Sequence, residues 1–186
     1  MVVRWSSWGM AIAILIGLVG SAGAGVCQSV KYPGLVLDER VVHNGEAFLD
    51  EVNRDYKVYQ VTLNNSFRTY EEQERLYQQW FARGKRGNPV AKPGSSRHES
   101  GFAMDLNGLQ ELTFNQWNSL LNIGEKHGLR YILGDWEGQT KLDWPHFEAN
   151  PESFGLTLEV AIRENRVRRE TIPLCWQGEL REAGAP

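Results

Sequence analysis

The chain has 186 residues, of which 41% are hydrophobic and 23% charged, and this composition predicts one globular domain with a core of its own. The formal net charge of -3 gives no reason to expect a nucleic-acid partner. No internal repeat or low-complexity tract interrupts the sequence, so the repeat architectures are excluded.

The N-terminal segment has the layout of an export signal. Arg4 is the only charge before an apolar run over residues 5–26, in which Ala22 and Ala24 have the A-x-A spacing of a cleavage site. This pattern predicts a signal peptide over residues 1–24, followed by a single domain over 25–186 with an N-terminal arm and a C-terminal tail. We therefore expect a periplasmic or extracellular protein. The run is also long enough to be a retained membrane anchor, and membrane contact is expected only there.

Only two cysteines are present, Cys27 and Cys175, and both would survive cleavage after Ala24. In an exported protein an even pair favours one disulfide. The alternative is two free or buried thiols.

The first half of the chain predicts two helices and a strand. Phe48 and Val52 are four residues apart in a helix over 45–56, and alternation predicts a strand over 57–64. A second helix over 70–83 begins with a capping-box pattern and is followed by a glycine. Its apolar residues share one face and are expected to pack in the core: Leu76, Tyr77, Trp80 and Phe81.

The second half predicts short strands around one helix. Thr113 and Gln116 form a capping box for a helix reaching His127, and Gly128 ends it. Strands are expected over 101–106, 129–133 and 145–148, with a loop over 134–143, while 153–165 fits both helix and strand. Helices and strands without regular βαβ repeats indicate an α+β fold, a small antiparallel sheet with flanking helices.

Three short segments carry residues suited to chemistry: 96–105, 143–148 and 66–68. In a strand over 101–106, Ala103 and Asp105 share one face, and the alternating apolar residues face the core. His98 precedes this strand and could turn back toward Asp105, and His146 could approach from a neighbouring strand. Two histidines and one carboxylate suit Zn²⁺ and leave a fourth position for water, which is typical of a catalytic site.

Two further residues could act on a substrate there. Asp143, three residues before His146, could be the general base for the metal-activated water and later protonate the leaving amine. Arg68 could meet the charge that develops on the carbonyl oxygen, or a substrate carboxylate.

Each residue also has a plainer interpretation. Isolated histidines such as His43 and His127 are usually surface or core residues, and Asp143 could simply begin a turn. Glu99 and Glu148 are interpreted as solvated charges. The spacing between His98 and Asp105 is not a general metal motif, so spacing alone leaves the metal site open.

The pattern Ser96-x-His98-x-x-Gly101-x-Ala103-x-Asp105, followed by Asp143-x-x-His146, resembles the M15 metallopeptidases. That family includes D-alanyl-D-alanine carboxypeptidases, D-Ala-D-Ala dipeptidases and the L-alanyl-D-glutamate peptidases of phage lysins. The resemblance covers about residues 53–148 and implies the small α+β fold also found in hedgehog signalling domains.

The resemblance implies a role for each motif residue. The zinc ligands would be His98, Asp105 and His146, the acid/base Asp143, and the substrate contacts Arg68 and Ser96. It implies a zinc peptidase whose partner is the stem peptide of peptidoglycan.

The segments 134–136 and 143–148 resemble the L-alanyl-D-glutamate peptidase branch, because Pro145 stands where the other branches more often carry Trp. The leading expectation is therefore hydrolysis of the L-Ala-D-Glu bond. A D-alanyl-D-alanine carboxypeptidase is the alternative.

Two other classes of function remain. A non-catalytic wall-binding module would be expected to lack a ligand or the base, and none is lacking. A non-haem iron oxygenase uses two histidines and one carboxylate, but usually places the first two ligands two residues apart rather than seven. We expect a monomer, and we interpret the C-terminal arginines as a solvated face because glutamates are interleaved with them: Arg163, Arg166, Arg168 and Arg169.

Overall fold

The computed structural model describes residues 25–56, 61–136 and 139–175, with side chains described outside 132–145. The predicted signal peptide over 1–24 lies outside the described residues, so its cleavage stays a prediction. Within the described ranges, none of the helices combines the length and the apolar character needed to cross a bilayer.

The predicted α+β class is confirmed. Four strands form an antiparallel sheet in the order β3 (Thr62–Asn65), β4 (Ala103–Asn107), β6 (Gln139–Glu148) and β5 (Arg130–Trp136). Two short strands, β1 (Val26–Gln28) and β2 (Val36–Asp38), pair separately. The helices are α1 (Val42–Asp55), α2 (Tyr70–Ala82), α3 (Phe114–Lys126) and α4 (Leu158–Glu164).

The core lies between α1, α3 and one face of the four-stranded sheet. Met104 and Leu106 of β4 and Phe147 of β6 are buried on this face. The Phe147 ring packs on Phe48 of α1 at 4.9 Å between ring centroids. Because side chains alternate along a strand, Asp105 and His146 project from the opposite face. The hydrophobic core therefore supports the polar face from behind.

The predicted capping boxes are confirmed at both helices. In α2 the Thr69 hydroxyl accepts from the backbone N–H of Glu72, and the Glu72 carboxylate accepts from the N–H of Thr69. Thr113 and Gln116 form the same reciprocal pair at α3. The ambiguous segment 153–165 contains α4, preceded by a 3-10 turn at Pro151–Phe154.

The prediction that the α2 aromatic face packs in the core is wrong. Trp80 is buried, but Phe81 is 57% exposed and Leu76 lies at the surface. Among the described residues, Gln73 and Trp80 are the buried members of α2. The α2 helix lies at the edge of the fold, so its apolar residues share one face without all being buried.

The predicted loop over 134–143 is also wrong. This segment continues β5 to Trp136 and begins β6 at Gln139, and the two strands pair as a hairpin. The backbone hydrogen bonds of this segment are instead made across the ladder between the two paired strands. The strand predicted over 57–64 is β3 from Thr62 onward, and residues 57–60 lie outside the described ranges.

The expected disulfide joins Cys27 and Cys175, and the described residues hold no free cysteine. Cys27 lies in β1, and the backbone beside it pairs with the chain at Leu174. The bridge links positions 148 residues apart, so it ties the two ends of the domain together.

Candidate metal centre

The sheet places two of the three predicted ligands directly opposite one another. Asp105 in β4 and His146 in β6 are register partners in an antiparallel pair. Side chains opposite each other on one face of such a pair lie about 5 Å apart at Cβ, within contact distance. The strand register alone therefore brings together residues that are 41 positions apart in sequence.

His98 reaches the same point from the turn before β4. The turn is closed by the N–H of Gly101, which donates to the carbonyl of His98 at 3.3 Å. Gly101 has a φ of +73°, and a Cβ there would lie 2.6 Å from Cγ1 of Val26. Glycine is required for both reasons, since other residues disfavour this backbone and no space exists for a side chain.

The ligand atoms of the three residues converge. His98 Nε2 lies 3.2 Å from Asp105 Oδ1, and His146 Nδ1 lies 3.3 Å from the same oxygen. One ligand atom from each residue lies within 4.8 Å of the others. Zinc ligands at 2.0–2.2 Å in a tetrahedron are separated by roughly 3.4 Å. The donor set and its spacing therefore fit zinc.

The second nitrogen of each histidine also has a partner. His98 Nδ1 donates to the carbonyl of Ser66 at 2.6 Å, which leaves Nε2 unprotonated in the neutral ring. His146 Nε2 lies 3.2 Å from Oε2 of Glu148. Histidine ligands of metal sites usually donate their other ring N–H to such an acceptor.

The electrostatics of the cluster favour a cation. Burial lowers the pKa of His98, so this ring is neutral and suited to bind a metal. Burial opposes the charge on His146, but its hydrogen bonds with Asp105 and Glu148 raise its pKa to about 9. Burial alone would raise the pKa of Asp105, and the two histidines lower it instead. Asp105 is therefore an anion placed between two nitrogen donors.

Arg68 lies beside the cluster on the other oxygen of Asp105. Its Nη2 is 3.3 Å from Asp105 Oδ2, and its Nη1 donates to Oε1 of Gln73 at 3.1 Å. Gln73 is fully buried and donates in turn to the carbonyl of Ala91. The guanidinium is thus held in place, partly exposed, next to the predicted ligands.

Ser96 and Glu99 belong to the loop that carries His98. The Ser96 hydroxyl accepts from the N–H of His98 at 3.3 Å, so the structure places Ser96 against this loop. Interpreting Glu99 as a solvated charge is wrong: it is 3% exposed, and its carboxylate accepts from the N–H groups of Gly94 and Ser96. The Glu99 carboxylate therefore holds the loop together through these backbone hydrogen bonds.

Interpreting Glu148 as a solvated charge is wrong as well. Its side chain is fully buried and contacts His146, Arg97 and Arg130. The sequence contains a signal for this position. Residues two apart on a strand share a face, so Glu148 had to lie on the face that carries His146.

Asp143 belongs to strand β6, but it is one of the residues whose side chains the structure does not describe. The pairing of β5 with β6 shifts register between Tyr131 and Leu133, opposite 142–147, so simple alternation does not fix the face of Asp143. Its role as general base stays a prediction. The isolated histidines lie elsewhere: His43 is exposed, and His127 pairs with Glu51.

Comparison with known proteins gives both a family and a fold. Residues 35–156 match the family described as VanY, D-alanyl-D-alanine carboxypeptidase. No curated protein sequence gives a match to the chain.

Three solved structures share the fold. VanYB in complex with D-alanine-D-alanine has a TM-score of 0.51 and 21% identity, over 76% of this chain and 90% of its own. A VanY D,D-pentapeptidase variant in complex with Zn(II) has a TM-score of 0.51 and 19% sequence identity, over 74% of this chain and 88% of its own. The D,D-dipeptidase VanXYg, bound to a phosphinate analogue of D-Ala-D-Ala, gives 0.50 and 16% over 74% of this chain. The chain spans 63% of the length of VanXYg.

Proposed function

The chain belongs to the D-alanyl-D-alanine carboxypeptidase family represented by VanY, whose members are zinc peptidases, and from this premise we propose that it hydrolyses peptide bonds in the stem peptides of bacterial peptidoglycan. The observation that carries the proposal is the convergence of His98, Asp105 and His146 at one point on the sheet. All three lie within the matched residues 35–156. A surface binding module would need no such buried donor set.

Zinc bound by His98, Asp105 and His146 would supply Lewis-acid polarisation of the scissile carbonyl and activation of water. The protein's own groups supply the rest of the chemistry. Asp143 would accept the proton of the attacking water and return it to the leaving amine. Arg68, held by Gln73, would donate to the carbonyl oxygen as negative charge develops there, or bind a substrate carboxylate.

Two bonds of the stem peptide are candidates. The family match over residues 35–156 favours the terminal D-Ala-D-Ala bond, which makes the protein a carboxypeptidase. The segment 143–148, with Pro145 before His146, favours the L-Ala-D-Glu bond next to the glycan. Two solved relatives are bound to D-Ala-D-Ala or its phosphinate analogue, which makes the carboxypeptidase at least as well supported as the L-Ala-D-Glu peptidase.

Mass spectrometry of a defined pentapeptide muropeptide, incubated with the zinc-loaded protein, distinguishes the two bonds. Loss of one alanine with the rest of the muropeptide intact identifies the carboxypeptidase. Release of the peptide beyond L-Ala identifies the L-Ala-D-Glu peptidase. An unchanged muropeptide, at full zinc loading, contradicts the proposed function.

The proposed substrate lies outside the cytoplasm, so this activity requires export. A disulfide between Cys27 and Cys175 fits an oxidising compartment, since such bridges are rare in the cytosol. Residues 1–24 would then be the export signal, and 25–186 the mature peptidase domain. N-terminal sequencing of the mature protein tests the cleavage after Ala24.

A further inference from the structure

Glu148 is a buried carboxylate whose position the proposed reaction does not explain. Its side chain is 0% exposed, yet burial of an ionised carboxylate is costly unless charges and hydrogen bonds compensate. Three groups surround it: Arg130 Nη2 lies 3.2 Å from Oε1, Arg97 Nε lies 3.4 Å from Oε2, and His146 Nε2 lies 3.2 Å from Oε2.

The sheet register accounts for this arrangement. Arg130 of β5 and Ala103 of β4 are the two register partners of Glu148 on β6. Arg130 therefore meets Glu148 across one strand pair. Ala103 is buried and small, so the neighbouring strand presents no bulk against the Glu148 side chain. Asp105 and His146 form the next pair along the same face.

His146 has carboxylates at both ring nitrogens, whereas His98 has a carboxylate at one and a backbone carbonyl at the other. For His98 the carbonyl of Ser66 can only accept, so it fixes the proton on Nδ1. In the neutral form of His146 that can bind a metal, the single ring proton lies either on Nδ1 toward Asp105 or on Nε2 toward Glu148. Only the second arrangement leaves Nδ1 free, and Nδ1 is the nitrogen beside the other ligand atoms.

We propose that Glu148 is a positioning residue that accepts the Nε2 proton of His146 and thereby holds the ring with Nδ1 directed at the zinc position. Arg97 and Arg130 fix the carboxylate for this role. The inference rests on the proposed zinc site and goes beyond it, because it assigns which nitrogen binds the metal and which residue decides that choice. Glu148 is outside the group of converging ligand residues His98, Asp105 and His146, so its effect on the metal site would pass through His146.

The first test compares two glutamates that each hold a histidine. In Glu148→Gln the side chain keeps its length but loses its charge. Glu51→Gln is the matched control, because Glu51 Oε2 lies 2.8 Å from His127 Nε2, outside the zinc cluster. We expect Glu148→Gln to weaken zinc binding about 10- to 100-fold in competition with a chelator of known affinity. Glu51→Gln should bind zinc as the wild type does.

The second test needs no variant and covers the case in which Glu148→Gln fails to fold. Long-range ¹H–¹⁵N correlation spectra of the zinc-loaded wild type report which nitrogen of each histidine carries a proton. We expect His146 protonated at Nε2 and zinc-bound at Nδ1, and His98 in the opposite arrangement.

The outcomes separate this inference from the proposed function. Zinc bound through Nε2 of His146, or a folded Glu148→Gln variant with wild-type zinc affinity, overturns the role of Glu148 and leaves the peptidase intact. A wild-type protein that binds no zinc overturns both.

Discussion

His127 and His146 each contact a glutamate, but only His146 lies in the candidate metal centre. His127 Nε2 is 2.8 Å from Glu51 Oε2, and His146 Nε2 is 3.2 Å from Glu148 Oε2. The shorter contact belongs to the histidine with no predicted function. The length of a single histidine–glutamate contact therefore does not identify the metal site.

The other nitrogen of the ring makes the difference. His146 meets Asp105 at Nδ1, and the ring of His98 stands edge-on to it at 5.0 Å between centroids. His127 instead caps the end of α3, where Glu51 also contacts the exposed Lys126. Pairs of this kind near the surface contribute little to stability because water screens them. A metal site needs further ligand atoms beside the second nitrogen of the ring, as His146 has in Asp105.

The largest expected effect comes from removing a histidine of the candidate metal centre, and removal of His127 is the control. His98→Ala should abolish stoichiometric zinc binding, because it leaves two ligands for a metal that needs three. His127→Ala should bind one zinc per chain, as the wild type does. Metal analysis of the purified proteins measures both. Full occupancy in His98→Ala would remove His98 from the ligand set.

Asp143→Asn separates proton transfer from metal binding. The amide keeps the shape of the carboxylate but cannot accept a proton, so the rate of peptide hydrolysis should fall about 100- to 10,000-fold. Zinc content should stay near the wild-type level, and rates are compared at matched zinc loading. Loss of zinc with activity would make Asp143 a ligand. Full retention of both would assign the base to another residue.

Arg68→Ala should have a somewhat smaller effect on turnover. Arg68 contacts Asp105 through the oxygen that faces away from the histidine contacts, and it would act on the substrate. Removing one donor that stabilises a developing oxyanion costs about 100- to 1,000-fold in kcat. Steady-state kinetics of the zinc-loaded variant measure this. A zinc affinity reduced as strongly as kcat would show that Arg68 serves Asp105 rather than the substrate.

The disulfide should affect stability and leave the site unchanged. Replacing Cys27 and Cys175 together by serine frees a loop that spans 148 residues. Entropy models give about 4–5 kcal/mol for a loop of this size, so the free energy of unfolding in urea should fall by up to that amount. Zinc affinity of the folded variant should equal that of the wild type. Two reactive thiols in unreduced, denatured wild-type protein would contradict the bridge.

Structural features formed by residues near each other in sequence are the most predictable. The capping boxes at Thr69 and Thr113 and the apolar face of β4 follow from local patterns that the sequence states directly. His98 and Asp105 are joined by one turn and one strand, and Gly101 marks that turn. Even the distant His146 could be placed, because the family motif includes it.

Features that depend on which segments pack against each other could not be predicted from local sequence patterns. The aromatic face of α2 has helical spacing, but only the tertiary fold decides that Phe81 stays at the surface. The charge of Glu148 suggested solvent, and only the strand register shows Arg130 and Ala103 on either side of it. Hydrophobic pattern and charge indicate a residue's preference, whereas burial depends on what packs against it.

The proposed function requires that the cluster around Asp105 cleaves wall peptides. The most direct test is digestion of intact peptidoglycan sacculi by zinc-supplied wild type, His127→Ala and His98→Ala, with the products identified by chromatography and mass spectrometry. Wild type and His127→Ala should release the same shortened stem-peptide products, and His98→Ala should release none. Equal amounts of product from all three proteins would contradict the proposed function.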